Sequence, residues 1–173
     1  NQSGNTDNDV TGNELFNNGV LIENTRTGIS NKDNFYTVSG NLNYTHTFKE
    51  SQEITLNADY GYYDIGKNSA QDNYFSDSQG AETRVPSIFK STSNQLINIM
   101  SLRADYEQVI FKSIKMEAGA KWAQSRTNND LVRNDQVNGN WIVNNQLSSK
   151  FNYTENISAA YVSLAKQFGT AYC

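Results

Sequence analysis

His46 is the only histidine of the chain, so a histidine-based metal site or a Ser–His–Asp triad would require it. It stands at an even position between Tyr44 and Phe48, in a run whose even positions are mostly apolar or aromatic. A histidine on such a face is more often structural than a ligand or a base. The sequence therefore predicts no catalytic residue and no metal site, and we expect no cofactor.

Six carboxylates in strand-like segments are the other candidates, because two of them could pair as a general acid and a general base. Arg103, Lys115 and Lys121 stand within four residues of Asp105, Glu107 or Glu117, and such opposite charges more often form ion pairs. We therefore expect the carboxylates to be paired or solvated, and the protein not to be an enzyme. The six are Asp59, Asp64, Asp105, Glu107, Glu117 and Glu155.

Three aromatic residues stand in stretches rich in Asn, Asp and Ser that are typical of loops. They are Tyr74, Phe75 and Trp141. Aromatic rings can stack on a ligand while neighbouring amides form hydrogen bonds with it. We predict these three as ligand-binding residues for a small molecule or glycan, such as a sugar, a siderophore or a similar polar nutrient.

Four runs, which include His46 and four of the six carboxylates, alternate apolar and polar side chains. They are residues 35–48, 53–63, 95–108 and 113–124. A period of two is that of a β-strand, whereas helical apolar residues recur at three and four. The sequence therefore predicts four strands with apolar even positions and polar odd positions.

Two further segments are also predicted as strands. Residues 151–168 form a fifth, although Ile157 and Tyr161 compete with the even-numbered Ala160 for its apolar face. Residues 14–24 are predicted to hold the end of another strand.

The connections alternate between short and long. "FKESQ" and "EQVIFKS" are short, whereas about 64–94 and about 125–150 are long and polar. Outer-membrane barrels have short periplasmic turns and long extracellular loops. We therefore predict an all-β fold, part of a transmembrane β-barrel with about five or six antiparallel up-and-down strands. The residues predicted to face lipid are Leu42, Tyr44, Ile54, Leu56, Tyr60, Leu102, Tyr106 and Trp122.

The composition excludes some partners. The net charge of −4 and the lack of a basic run argue against binding to nucleic acid. No run of 18 apolar residues occurs, which excludes a transmembrane helix but not a barrel, whose strands are about 10 residues long. The only cysteine, Cys173, cannot form an internal disulfide. Because the chain lacks an initiator Met, we expect residues 1–173 to be a segment of one barrel domain in a larger protein.

A soluble β-sandwich or barrel, such as a lectin-like surface binding module, predicts the same alternation of side chains. We favour the membrane barrel because aromatic residues concentrate at the strand ends, as they do at membrane interfaces. Phe48, Phe111 and Phe168 lie near the short turns, whereas Tyr60 and Trp122 lie near the long loops.

The segment "FNYTENISAAY" resembles part of the barrel of TonB-dependent receptors, of the Gram-negative, large-barrel type. The matching residues are Phe151, Tyr153, Glu155, Ile157, Ala159, Ala160 and Tyr161. "LRADYEQ" at 102–108 and "KMEAGAKWAQS" at 115–125 are also similar, and the resemblance covers about residues 35–169.

This resemblance implies a piece of an outer-membrane importer with roughly twenty-two strands and a plug in its lumen. The expected partners are outer-membrane lipid, the remaining strands and plug of the parent barrel, an inner-membrane energy-coupling protein and the transported ligand. The sequence departs from the full pattern, since it contains no plug, no energy-coupling box and no closing C-terminal strand. The resemblance carries over no catalytic residue and no binding residue.

Overall fold

The computed structural model describes residues 2–49, 51–111 and 113–166, and these form seven β-strands. The strands are β1 (Gln2–Asn17), β2 (Val20–Lys49), β3 (Gln52–Ser76), β4 (Glu82–Ile110), β5 (Ile114–Val137), β6 (Asn140–Val143) and β7 (Ser149–Lys166). Neighbours pair in the order β1-β2-β3-β4-β5-β6, and β7 also pairs with β5. The antiparallel, up-and-down, all-β fold class predicted from the sequence is confirmed.

The chain divides into two compact units, and strands β2 to β5 and β7 contribute a part to each. Among the described residues, unit 1 contains 2–37, 63–96 and 128–152. Unit 2 contains 38–49, 51–62, 97–111, 113–127 and 153–166. The assignment of the whole chain to one barrel domain stays a prediction.

Asn-Gly pairs close two of the hairpins. Asn18 and Gly19, between β1 and β2, have φ angles of 49° and 80°. Asn138 and Gly139, between β5 and β6, have φ angles of 51° and 79°. Two consecutive positive φ angles define a type I′ turn, which Asn-Gly adopts readily and which matches the twist of the flanking strands.

The alternating runs correctly located five strands. The first three lie within β2, β3 and β4, the fourth lies within β5 from Ile114 onwards, and the fifth lies within β7 up to Lys166. Residues 167 and 168, which the prediction also included, lie outside the described residues, as do Glu50 and Lys112 of the two short connections. Residues 14–24 hold the end of β1, a turn and the start of β2.

The connections predicted as long extracellular loops at about 64–94 and 125–150 are mostly β-strand, and their extracellular position stays a prediction. β3 continues to Ser76 and β4 begins at Glu82, so the turn between them covers only 77–81. The Asp77 carboxylate holds that turn by accepting hydrogen bonds from the backbone N–H groups of Gln79 and Ala81, at 2.8 and 2.9 Å. β5 likewise continues to Val137 and pairs with β6. Polar residues on both faces of these strand segments hid the alternation.

Almost no side chain of the described residues is fully enclosed. Phe75, with 9% exposure, is the buried hydrophobic residue among them, and Thr27, with 8%, is the buried polar one. Leu42 and Leu164 on the even positions are 69% and 65% exposed. No helix in the described part of the chain is long and apolar enough to cross a membrane. The fold therefore presents two sheet faces, here called the even face and the odd face after the residue numbers they carry.

Candidate functional site

The even face of unit 2 is an apolar surface with a hollow of about 850 Å³. Its lining consists mainly of alanines and of larger apolar side chains. These side chains lie together because alternate residues of a strand share one face. Five of the residues predicted to face lipid line it: Leu42, Tyr44, Leu56, Leu102 and Trp122. Tyr60 lines an adjacent hollow, and Ile54 and Tyr106 stand at even positions of β3 and β4. The structure thus brings the predicted set onto one face, and its contact with lipid stays a prediction.

Polar residues bound this apolar surface at both ends. On β4 the even positions between Asn98 and Gln108 are Met, Leu, Ala and Tyr, and these two polar residues are ten positions apart. At about 3.4 Å per residue and about 45° of strand tilt, ten residues span about 24 Å, close to the apolar band of about 25 Å in outer-membrane barrels. Tyr60 donates a hydrogen bond of 3.1 Å to Asn98 at one of these ends.

His46 lies between two aromatic rings of the same strand. Its ring is parallel to that of Tyr44 at 6.3 Å and meets Phe48 edge-on at 4.5 Å. Among the described residues, no group of three potential ligands is placed to hold a metal ion. This geometry favours the structural role over a catalytic or ligating one.

The odd face of unit 2 is polar and is hydrogen-bonded from strand to strand. Asn41 donates to Asp59 at 2.5 Å, and Ser101 donates to the same carboxylate at 3.0 Å, so one carboxylate joins β2, β3 and β4. Three more cross-strand bonds continue the row towards the turn. They join Asn43 with Asn57, Thr45 with Thr55 at 3.3 Å, and Thr47 with Glu53 at 3.3 Å.

Ion pairs occupy the odd face of β4 and β5. Arg103 Nε lies 2.6 Å from Asp105, whereas Lys115 Nζ bridges Glu107 at 2.9 Å and Glu117 at 2.7 Å. The predicted pairing of carboxylates with Arg103 and Lys115 is therefore confirmed at these positions. All five side chains remain accessible to solvent, so they form a polar wall open to water.

The structure settles which residues of β7 share the apolar face. Ala160 lines the apolar hollow, whereas Tyr161 donates a hydrogen bond of 2.8 Å to Asp105 on the odd face. Gln124 on β5 and Asn156 on β7 are bonded at 2.8 Å across the even face. The even positions of β7 therefore continue the apolar surface, and Ile157 belongs with Tyr161.

In unit 1, the three aromatics predicted to bind a ligand do not form one site. Tyr74 and Phe75 are adjacent on β3 and face opposite sides of the sheet. Phe75 is covered by Arg84, whose guanidinium carbon lies 3.5 Å from the ring centre. The Lys90 ammonium lies 4.0 Å from the centre of the Trp141 ring. Trp141 is directly opposite Gln136 of β5, so it shares the even face with Lys90 and Tyr74 although its own number is odd.

Unit 1 contains two clusters in which an arginine stacks on a phenylalanine and pairs with a carboxylate, on the odd face and near the turn. Arg84 stacks on Phe75 and forms an ion pair of 2.8 Å with Glu23. A second cluster repeats this chemistry with Phe89, Arg133 and Asp135, the guanidinium carbon lying 3.6 Å from the ring centre and its Nε 2.7 Å from the carboxylate. Hydrogen bonds from Asn144 first, and then from Arg133, lower the pKa of Asp135. Sequence spacing alone could have indicated only the Arg133–Asp135 pair, whose members share a face.

The sequence is similar to that of a known protein family. Over residues 46–172, more than two thirds of the chain, the sequence matches the Outer membrane protein beta-barrel family. The chain belongs to this family. A search of curated proteins finds no match. As a member of the Outer membrane protein beta-barrel family the protein is located in the outer membrane, and its antiparallel strands are those of a membrane barrel.

Proposed function

We propose that this chain is part of the barrel wall of an outer-membrane transport receptor of the TonB-dependent kind, which takes up a polar nutrient. One observation supports this most directly. Hydrogen bonds connect four strands on the odd face of unit 2, from Asn41 of β2 through Asp59 of β3 to Ser101 of β4, and from Asp105 of β4 to Tyr161 of β7. A polar, hydrated wall behind an apolar band is what a water-filled lumen requires.

The even face argues against the soluble lectin-like alternative. A sandwich would cover Leu42 and Leu102 with a second layer, yet they are 69% and 48% exposed among the described residues. The family supports an outer-membrane location for the chain, and the proposal assigns the cover of this surface to lipid acyl chains. The proposal includes no catalytic role, because the one histidine lies between two aromatic rings.

The proposed partners follow from the transport role. A transport receptor of this kind holds a plug in its lumen and takes energy from an inner-membrane coupling protein, and further strands must pair with the sheet edges, since unpaired edges are not tolerated in lipid. Among the described residues, β1 pairs only with positions 20–36 of β2, which leaves one edge of 38–49 open to such a strand.

Cysteine labelling tests the orientation of the wall. In a Cys173→Ser background, Leu42→Cys, Leu56→Cys and Leu102→Cys are expected to react with a membrane-dissolved maleimide. Matched controls on the odd face are Asn43→Cys, Asn57→Cys and Arg103→Cys, which are expected to react with a water-soluble maleimide instead. Equal reaction of both sets with the water-soluble reagent would show that the even face does not contact lipid.

Uptake measurements test the transport role itself. Cells that lack the gene are expected to lose uptake of one class of polar nutrient, and the same loss is expected when the inner membrane is de-energised. Normal uptake of every nutrient tried, in cells that lack the protein, would contradict the proposal even if the labelling pattern holds.

A further inference from the structure

The odd face of unit 1 contains a polar cleft of about 370 Å³ that none of the comparisons assigns. Strands β1 and β2 form one side of it, with Asn5 directly opposite Asp33 and Asp7 directly opposite Asn31. Each pair joins an amide, which donates and accepts, to a carboxylate, which only accepts. The register therefore alternates donors and acceptors along two neighbouring strands.

These four side chains are available to a ligand. Among the described residues, no hydrogen bond or ion pair engages any of them, in contrast to the Asn41–Asp59 pair of unit 2, whose members bond to each other. Asn31 and Asp33 are half-buried, whereas the even-numbered Lys32 and Asn34 beside them are exposed. The odd face is thus the recessed side of β2 at this point.

The opposite side of the cleft supplies hydroxyl groups and one cation. Ser91 and Ser93 come from β4, and Lys67 comes from β3. Two carboxylates against one ammonium leave the cleft with a small negative charge. Such a site repels an anion, and its mixture of hydroxyl, amide and carboxylate groups matches the vicinal hydroxyls of a neutral sugar.

An aromatic pair lies beside the cleft on the same face. Phe35 follows Asp33 by two residues, and its ring centre lies 6.4 Å from that of Tyr63, with the planes tilted by 41°. The apolar ring faces of a pyranose can pack on such a surface while its hydroxyls reach the polar groups. Shape, donor pattern and aromatic surface therefore combine in one place.

We propose that this cleft binds a neutral oligosaccharide. The proposal rests on the proposed transport function in that it assigns a substrate class, but binding is measurable without transport. It also replaces the aromatic trio Tyr74, Phe75 and Trp141 as the ligand site, because that trio is divided between both faces of the sheet.

Titration calorimetry on the purified full-length protein in detergent tests this assignment. The probes are maltohexaose, laminarihexaose and xylohexaose, with hexagalacturonate as the anionic comparator. At least one neutral probe is expected to bind, and hexagalacturonate is expected to bind at least about tenfold more weakly. Because a neutral ligand carries no net charge, its affinity should change little between low and high salt.

Two substitutions locate the binding to the cleft. Asn31→Ala and Asp33→Ala each remove one hydrogen-bonding group and are expected to weaken binding by about tenfold. Asn34→Ala is the matched control, since it removes the same amide from the even face of the same strand. Circular dichroism establishes that each variant retains its β-structure.

The outcomes separate the two proposals. Failure of all three neutral probes to bind, or an equal effect of Asn31→Ala and Asn34→Ala, overturns the cleft assignment and leaves the transport role intact. Tight binding that depends on Asn31, combined with normal nutrient uptake in cells lacking the protein, supports the cleft and refutes the transport role.

Discussion

Tyr161 on β7 crosses Gly119 on β5 and donates a hydrogen bond of 2.8 Å to Asp105 on β4. A Cβ atom built on Gly119 would collide with both the Tyr161 ring and the Asp105 carboxylate. The absence of a side chain on the middle strand therefore allows the ring to span three strands. This contact joins β7 to β4 across the odd face of the sheet, in addition to the pairing of β7 with β5.

Gly119→Ala is expected to destabilise unit 2 by about 1–3 kcal/mol, since the extra methyl group must displace the ring or the carboxylate. Thermal unfolding of the detergent-solubilised protein measures the loss. Gly40→Ala is the control, because nothing lies within 4 Å of a Cβ at that position. Equal effects of the two substitutions would show that the Tyr161–Asp105 contact across Gly119 does not contribute measurably to the stability of unit 2. Tyr161→Phe retains the ring and should have a smaller effect than Gly119→Ala.

Leu102→Lys places a charge near the middle of the apolar band, between Asn98 and Gln108. A lysine at the centre of the lipid-facing band costs about 2–4 kcal/mol. Ser101→Lys, one position away, faces the polar wall and can approach Asp59, so it should be nearly neutral. Unfolding titrations in lipid vesicles compare the two variants. A similar cost for both, or a larger cost for Ser101→Lys, would contradict the assignment of the even face to lipid.

The sequence predicted unit 2 well because lipid or a core demands apolar residues at every second position there. Most of unit 1 was missed because its strands lack apolar residues at every second position. "GKNSAQDNYFS", residues 66–76, carries polar residues on both faces, so its side chains show no alternation in hydropathy although β3 continues through it. The Asn18–Gly19 turn was a readable hairpin signal between apolar residues at 15–16 and 20–22, but the rest of β1, residues 2–14, is mostly polar and carries no alternation.

The site was predictable only where partners lie close in sequence. Arg103 and Asp105 are two residues apart on one strand, so their ion pair follows from the period of two. The cleft depends instead on Asp7 lying opposite Asn31. That pairing depends on the turn and on a register shift at Leu15 and Phe16, neither of which the side-chain pattern specifies.

Acid is expected to loosen the end of the β5–β6 hairpin, which lies outside the spanning segments. Folding lowers the pKa of Asp135, so its carboxylate stabilises the hairpin above its ordinary pKa of about 3.9. That stabilisation is lost as the pH falls from about 3.9 through the lowered value of the folded state. Trp141 fluorescence, in a Trp122→Phe background, follows the change. Asp135→Asn should remove the acid transition in this region, and an unchanged transition would assign it to another group.

Trp141→Ala is expected to leave oligosaccharide affinity unchanged, although the residue was a ligand candidate on sequence grounds. Trp141 packs under Lys90 on the even face, whereas Ser91, the next residue of β4, lines the cleft on the odd face. The substitution removes a cation–π contact worth about 0.5–1 kcal/mol at an exposed site, so only local stability should fall. Lys90→Ala breaks the same contact from the other side and should reproduce the effect. Calorimetry with the best neutral probe checks affinity, and a loss comparable to that of Asn31→Ala would move the binding surface to the even face.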